Sequence, residues 1–378
     1  MLKTESRFLA LDVFRGMTVC FMIIVNSPGS GADAFSFLSH ASWHGFTPTD
    51  LLFPSFLFAV GNAMSFSMDK YKTLGEGAFL KKVFKRTLLI FLLGFLMYWF
   101  PFFETAEGGG IQLMPISETR IMGVLQRIAL CYFFASLMIR YLSSKNVIAL
   151  SAVFLLGYWA VLLLFGDPAD PLSMEGNAGE YFDKWVMGDS HLYHGEGLAF
   201  DPEGLLSTIP SIVNVVIGYF AGRFIREKGK GYETIAKLLL AGGVLIFIAL
   251  WWDLAFPINK KLWTSSFVLL TTGLDLAIIS ALLYVVELRS WNKWNWTKFF
   301  TIFGKNPLFI YLLSELLLIV LYRIQVSSDT SLHSWINTVF FQVIAPGAIG
   351  SLLFAVIYML LCWAVGWWLD RKKIYIRV

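Results

Sequence analysis

Charge is what this chain has least of. Only 15% of its 378 residues are Asp, Glu, Lys or Arg, while 57% are hydrophobic and the mean hydropathy is +0.66. A water-soluble chain of this length cannot hide that much apolar surface, so a soluble globular class is excluded and lipid is the solvent for much of the molecule. Cysteine is nearly absent. Cys20, Cys131 and Cys362 lie far apart inside apolar runs, which excludes a disulfide framework or a CxxC motif and leaves small core residues. No third ligand stands at metal spacing from His40 and His44, so no metal is expected. The basic residues are spread over many short segments, which gives nucleic-acid binding no support. There is no fixed-period repeat, low-complexity linker or soluble domain. The first apolar run is too long, and lacks the small-residue cleavage site, for a removed signal peptide. One membrane domain over residues 1–378 is expected.

What is present is a series of apolar runs of bilayer length, about 20 residues each. They fall at 8–27, 48–68, 83–101, 120–141, 146–166, 204–225, 234–253, 262–287, 298–323 and 348–369. A shorter piece, Trp335–Ala345, has the length of a re-entrant or interfacial segment. The expected fold is therefore all-α, a polytopic bundle of about ten transmembrane helices. With the N-terminus inside, 24 of the 30 lysines and arginines fall in the inner segments, among them Lys3, Arg7, Lys82, Arg86, Lys293, Lys305 and Arg377. The positive-inside rule thus places both termini in the cytoplasm, and an odd span count would break the alternation. The longest outer loop, about 167–203, carries nine acids against Lys184 alone. Its length suits a small cap.

Ionisable residues in or beside apolar spans cost free energy and are functional candidates. Asp12 and Arg15 share a helix face at i, i+3 spacing, either as a structural ion pair or as part of a cytoplasmic mouth. The segment from Asn26 to Pro54 holds His40 and His44 but no lysine or arginine, and Thr47-Pro48-Thr49-Asp50 reads as a helix start. His40 and Asp50 are expected to face one outer cavity. There the imidazole either takes a proton from an amine or hydroxyl nucleophile or bonds a backbone carbonyl. Arg127 is expected about two turns into the fourth span. It would need an anionic ligand or an acid from Asp253, Asp275 and Glu315.

Asp201 and Glu203 open the sixth span, as dipole complements or as sugar or amine ligands. Lys260, with Lys261, breaks the positive-inside pattern just before Trp263, which suggests pairing with the acidic loop or an anionic ligand. Gly304-Lys305-Asn306-Pro307 frees backbone groups near the cytoplasmic end of the ninth span, for a phosphate or simply a kink.

At these residues the chain resembles the heparan-α-glucosaminide N-acetyltransferase family of transmembrane acyltransferases and its bacterial members. The resemblance runs through Leu11-Asp12-x-Phe14-Arg15-Gly16, Asn26, His40-Ala41-Ser42-Trp43-x-Gly45 and Asp50-Leu51-x-Phe53-Pro54. It continues through Gly123-Val124-Leu125-Gln126-Arg127, Asp201-Pro202-Glu203-Gly204, Asn259-Lys260-x-Leu262-Trp263 and Asn306. It implies transfer of an acetyl group from cytoplasmic acetyl-CoA to an amino sugar across the membrane. It also implies His40 as catalytic base and Asn26 as a neighbouring group that positions acetyl or substrate. The family's lysosomal enzyme carries a further lumenal domain and N-terminal span for which no counterpart is expected here.

On this reading Asp50, Arg127, Asp201, Glu203, Lys260 and Trp263 are substrate-side candidates. Arg15, Lys82, Arg86, Lys305 and Asn306 are candidates for the coenzyme side, on position and charge. The expected setting is a bacterial inner membrane and the acceptor glucosamine or a short oligosaccharide ending in it. Assembly as a homodimer is left open. The rival expectation is a transporter that moves an amino sugar through the same cavity.

Overall fold

The computed structural model describes residues 8–29, 34–72, 75–105, 109–291 and 295–376. Lys3, Arg7, Lys293 and Arg377 of the basic set lie outside the described residues. The apolar runs become long helices: α1 (Leu9–Asn26), α2 (Leu52–Lys72), α3 (Glu76–Trp99), α4 (Val124–Tyr141) and α5 (Ser144–Phe165). After a short α6 (Ala178–Met187) come α7 (Leu205–Lys228), α8 (Tyr232–Asp253) and α9 (Ser265–Leu282), the last prolonged by a π-helical turn at Leu283–Leu288. Then follow α10 (Trp296–Lys305), α11 (Pro307–Arg323), the short α12 (Leu332–Ile336) and α13 (Gln342–Ile344), and finally α14 (Ala348–Arg371).

Eight of these helices are long and apolar enough to cross a bilayer. The pair α10 and α11, bent by 82°, is apolar enough only when taken together, as one broken span or a re-entrant loop. Asn306 leaves the helical region at φ −131°, and Pro307 has no N–H to continue the ladder, so the helix breaks where the sequence places its Asn-Pro. In α3, Lys81, Lys82, Lys85 and Arg86 crowd the first three turns, and only Thr87–Trp99 is free of charge. Its 24 residues pack along α4, but α3 falls outside the apolar set, so the described residues give eight such helices, or nine with the bent pair, against the ten expected. The chain is an all-α, multi-pass membrane protein. Trp335–Ala345 does not cross: it folds as α12, a π-helical turn and α13, set against α11 and α14.

Close approach of helices, rather than exclusion of water, holds such a bundle together. The α2–α7 contact shows how. A Cβ on Gly61 would stand 2.0 Å from the Val215 carbonyl oxygen, and one on Gly218 2.2 Å from that of Phe58. Only glycine permits that spacing. Several buried hydroxyls bond within their own helices, as where Ser211 donates to the Ser207 carbonyl (2.8 Å) and Thr271 to that of Phe267 (2.9 Å).

Long-range pairs separate the two ends of the bundle. At one end Lys230 meets Glu287 (2.6 Å), Arg226 meets Asp69 and Lys305 meets Asp370 (2.6 Å). This is the basic end. At the other, Trp43 donates to the Leu172 carbonyl (3.0 Å) and His333 meets the Pro28 carbonyl (3.1 Å). The acidic 167–203 segment lies at this second end and is built structure. Asn177 caps α6, which packs on α5 and α7, and Asp183 accepts from the Leu205 amide at the start of α7 (2.9 Å).

Candidate active site

Thr47-Pro48-Thr49-Asp50 forms a capping box on a 3₁₀ turn that runs directly into α2. The box fixes Asp50, which is fully buried. One of its oxygens accepts from the amides of Thr47 (2.9 Å) and Ala41 (3.2 Å) and from the Thr47 hydroxyl (3.1 Å). The other stands 2.7 Å from His40 Nδ1. A carboxylate so held accepts the Nδ1 proton and leaves the Nε2 lone pair free. The His40 side chain is 41% exposed.

Lys260 lies over the ring, with Nζ 3.0 Å from Nδ1 and 2.9 Å from Nε2. Burial lowers the Lys260 pKa, against the attraction of Glu203 and Asp50. His44 meets Asn259 Nδ2 at 3.3 Å, and burial lowers its pKa too.

A second cluster sits beside the first. The Arg120 guanidinium donates to both oxygens of Asp201 (2.8 and 2.6 Å) and to Glu203 (2.7 Å), between the rings of Tyr98 and Tyr193. Burial drives the Asp201 pKa up, and Arg120 offsets part of that shift. Arg120 was not singled out by sequence reasoning, because its partners lie some eighty residues further on.

Arg127 departs from expectation. Gly123 is extended and α4 starts only at Val124, so Arg127 lies in the first turn, not two turns deep. It is fully buried, yet none of the three proposed acids serves it. Asp275 is bonded by Ser55, Asp253 accepts from the Ile258 amide and Glu315 from Asn26. Arg127 instead donates to Ser207 and the Gly204 carbonyl (3.1 Å) and lies over the Trp263 ring, 4.8 Å from its centre. A face-on aromatic and two oxygen acceptors replace the ion pair.

Trp263 is itself buried, donates to Asn214 (3.1 Å) and packs edge-on against Phe53 and Phe267. Asn26 ends α1 exposed and donates from Nδ2 to Glu315 Oε1 (3.2 Å), not to His40.

A cavity of about 500 Å³ opens at the basic end, lined by Arg15, Arg86 and Lys305 with apolar side chains from α2 and α4. Arg86 lies over the Tyr132 ring (4.7 Å), Arg15 pairs with Asp12 (3.0 Å) and Lys305 with Asp370. Asn306 is not in the lining. Its amide clasps the Ile374 carbonyl (3.1 Å) and the Ile376 amide (2.8 Å), which holds the C-terminal segment as a wall. Lys82 is exposed outside it, over Tyr71. A smaller cavity, about 150 Å³, lies at the opposite end between α1, α14 and His40. The two share no lining residue. The structure brings Arg15, Arg86 and Lys305 together, and His40, Asp50 and Lys260 together, at opposite ends.

Residues 7–250 match the family model described as heparan-alpha-glucosaminide N-acetyltransferase, catalytic. The chain belongs to this family. It is 28% identical to human heparan-alpha-glucosaminide N-acetyltransferase over 363 residues, 81% of this chain and 52% of that protein. Against the mouse protein of the same name it is 28% identical over 373 residues, 83% of this chain and 54% of that one. The chain spans about half the length of these relatives. The family match takes in Asn26, His40, Asp50, Arg120, Arg127, Asp201 and Glu203 and ends just short of Lys260.

Proposed function

We propose that the protein is a transmembrane acetyltransferase that moves the acetyl group of acetyl-CoA to the amine of a glucosamine-type sugar. The observation that carries the reading is the His40–Asp50 pair at 2.7 Å, set at the end of the bundle opposite a cavity with three basic side chains. Family membership supports the reaction class. The cavity at the basic end suits an anionic, elongated donor. Arg15, Arg86 and Lys305 stand where phosphates enter, Lys82 flanks the mouth, and the apolar wall accepts the pantetheine arm. Asn306 acts on that site through the C-terminal wall.

The acyl group must then cross the apolar layer between the two cavities to reach His40. There His40 Nε2 takes the proton of the sugar amine as nitrogen attacks the thioester carbonyl. Asp50 holds the imidazole in the required tautomer, a positioning role, since both its oxygens are engaged within the protein. Asn26 at the end of α1 orients the acetyl group. Arg127, Trp263, Asp201 and Glu203 shape the floor under the acceptor and fix its outer wall. The basic end faces the cytoplasm of a bacterial inner membrane, both termini with it, and the acceptor is a periplasmic glucosamine or a short oligosaccharide ending in it.

The test is purified protein with labelled acetyl-CoA and a panel of amino sugars. An N-acetylated sugar is expected from wild type, and a fall of about 10³-fold or more from a folded His40→Ala protein. Wild-type turnover by that variant would reject the base. Sugar uptake into sealed vesicles without acetyl-CoA would favour a transporter.

A further inference from the structure

The acceptor's place beside His40 is already taken by a group of the acceptor's own chemistry. Asp50 holds Nδ1, and the Lys260 Nζ lies over the ring, 2.9 Å from Nε2 and 3.0 Å from Nδ1, at the distance of a general base from its nucleophile. A lysine ε-amine and the amine of an amino sugar are both primary aliphatic amines, equal in the bond they form with an acyl carbon.

The placement is fixed by the chain. Asn259 Oδ1 accepts from the Leu262 amide (2.8 Å), and the Trp263 amide donates to the Lys260 carbonyl (3.0 Å). Trp263 at φ 54° then turns the backbone into the buried Arg127 stack, so the Lys260 side chain leaves a rigid turn toward the imidazole. Burial also lowers the Lys260 pKa and enlarges its neutral, nucleophilic fraction. Lys261, one residue on, is the contrast: its Nζ lies 2.5 Å from Glu196, away from the ring.

We propose that Lys260 is an autoacetylation site, which reacts with the acetyl thioester when no acceptor amine stands in front of His40. The Lys260 nitrogen forms a bond to the acetyl carbon, the carbon–sulfur bond breaks, His40 Nε2 takes the proton lost from Nζ, and coenzyme A leaves as the thiol. No oxidant or further reactant enters. The product amide is uncharged and remains against Nε2, so it blocks the acceptor. Donor without acceptor therefore silences the enzyme, and the acceptor protects it. This inference rests on the acetyl-thioester reading above.

The experiment incubates the purified full chain with isotope-labelled acetyl-CoA, with and without glucosamine, and maps acetylated peptides by mass spectrometry beside the assay for acetylated sugar. Without sugar, one acetyl group is expected on Lys260 and none on Lys261. Labelling should fall about 100-fold in His40→Ala, vanish in Lys260→Arg and drop when glucosamine is present. Acetylated sugar with unlabelled Lys260 would overturn the autoacetylation and leave the transferase reading intact. Equal label on Lys260 and Lys261, or undiminished label in His40→Ala, would mark uncatalysed chemistry and overturn it as well. No label on sugar or lysine would overturn both.

Discussion

At the basic end Arg15, Arg86 and Lys305 are half-buried around a cavity of about 500 Å³, each beside a carboxylate or an aromatic ring. At the other end Arg120 divides one guanidinium between two carboxylates and two rings, and Arg127 is fully buried against Trp263. The first arrangement attracts charge at a distance and tolerates the loss of any one member, because half-exposed cations are partly screened and partly interchangeable. The second sets orientation. Its members are desolvated and bonded in one geometry, so a single change propagates.

That contrast ranks the variants. Asp50→Asn should be the more severe because it acts at the oriented end. An amide presented to His40 Nδ1 donates where the carboxylate accepted and forces the proton onto Nε2, which removes the base. The expected fall in kcat is about 10²–10⁴-fold, with KM for acetyl-CoA unchanged. The readout is steady-state kinetics in detergent. A variant within about threefold of wild type would show that the tautomer does not matter and would erase the difference between the ends.

Arg86→Gln or Lys305→Gln should be milder and should fall on the other kinetic constant. Each removes one cation of three from the cavity wall, for about a tenfold rise in KM for acetyl-CoA and little change in kcat. The effect should shrink as salt rises, since it is Coulombic and partly solvated. A kcat loss equal to that of Asp50→Asn would place these residues in the chemical step instead.

Much of this was legible in the residues. Hydropathy located every long helix, and the Asn306-Pro307 break fell where a missing N–H required one. Charge bias was informative through its exceptions. Six basic residues violate it, and four of them, Arg120, Arg127, Lys260 and Lys261, gather at the His40 end. The cost of a cation on the wrong side had to be met by something local. Lys261 meets Glu196 of the acidic loop, as its place in the sequence suggests, but other partners could not be read. Asn26 meets Glu315 across 289 residues and Arg120 meets Asp201 across 81, and pairing over such separations is set by helix packing, which periodicity does not encode. For Arg127 the residues alone suggest an acid or an anionic ligand, since opposite charge is the obvious remedy for a buried cation. An aromatic face and two oxygen acceptors serve instead, and Trp263, far along the chain at the start of another apolar run, gives no sign of that task.

The smallest effect tests whether the oriented end is also the pH-sensitive one. Asp183 on α6 is buried beside Asp201, which pushes its pKa up to about 7 against the hydrogen bond from the Leu205 amide. A carboxyl group raised this far keeps its proton in the fold at a pH where the unfolded chain has lost it. Its contribution is therefore full below about pH 4 and is lost as pH rises toward 7, by at most about 1.4 kcal/mol per pH unit. Asp183→Asn keeps an oxygen for Leu205 and has no proton to lose. Unfolding midpoints in detergent at pH 5 and 7.5 should therefore drop more for wild type than for the variant. Equal drops would mean that the cap is held to α7 by packing alone and that burial at this end carries no pH dependence through Asp183.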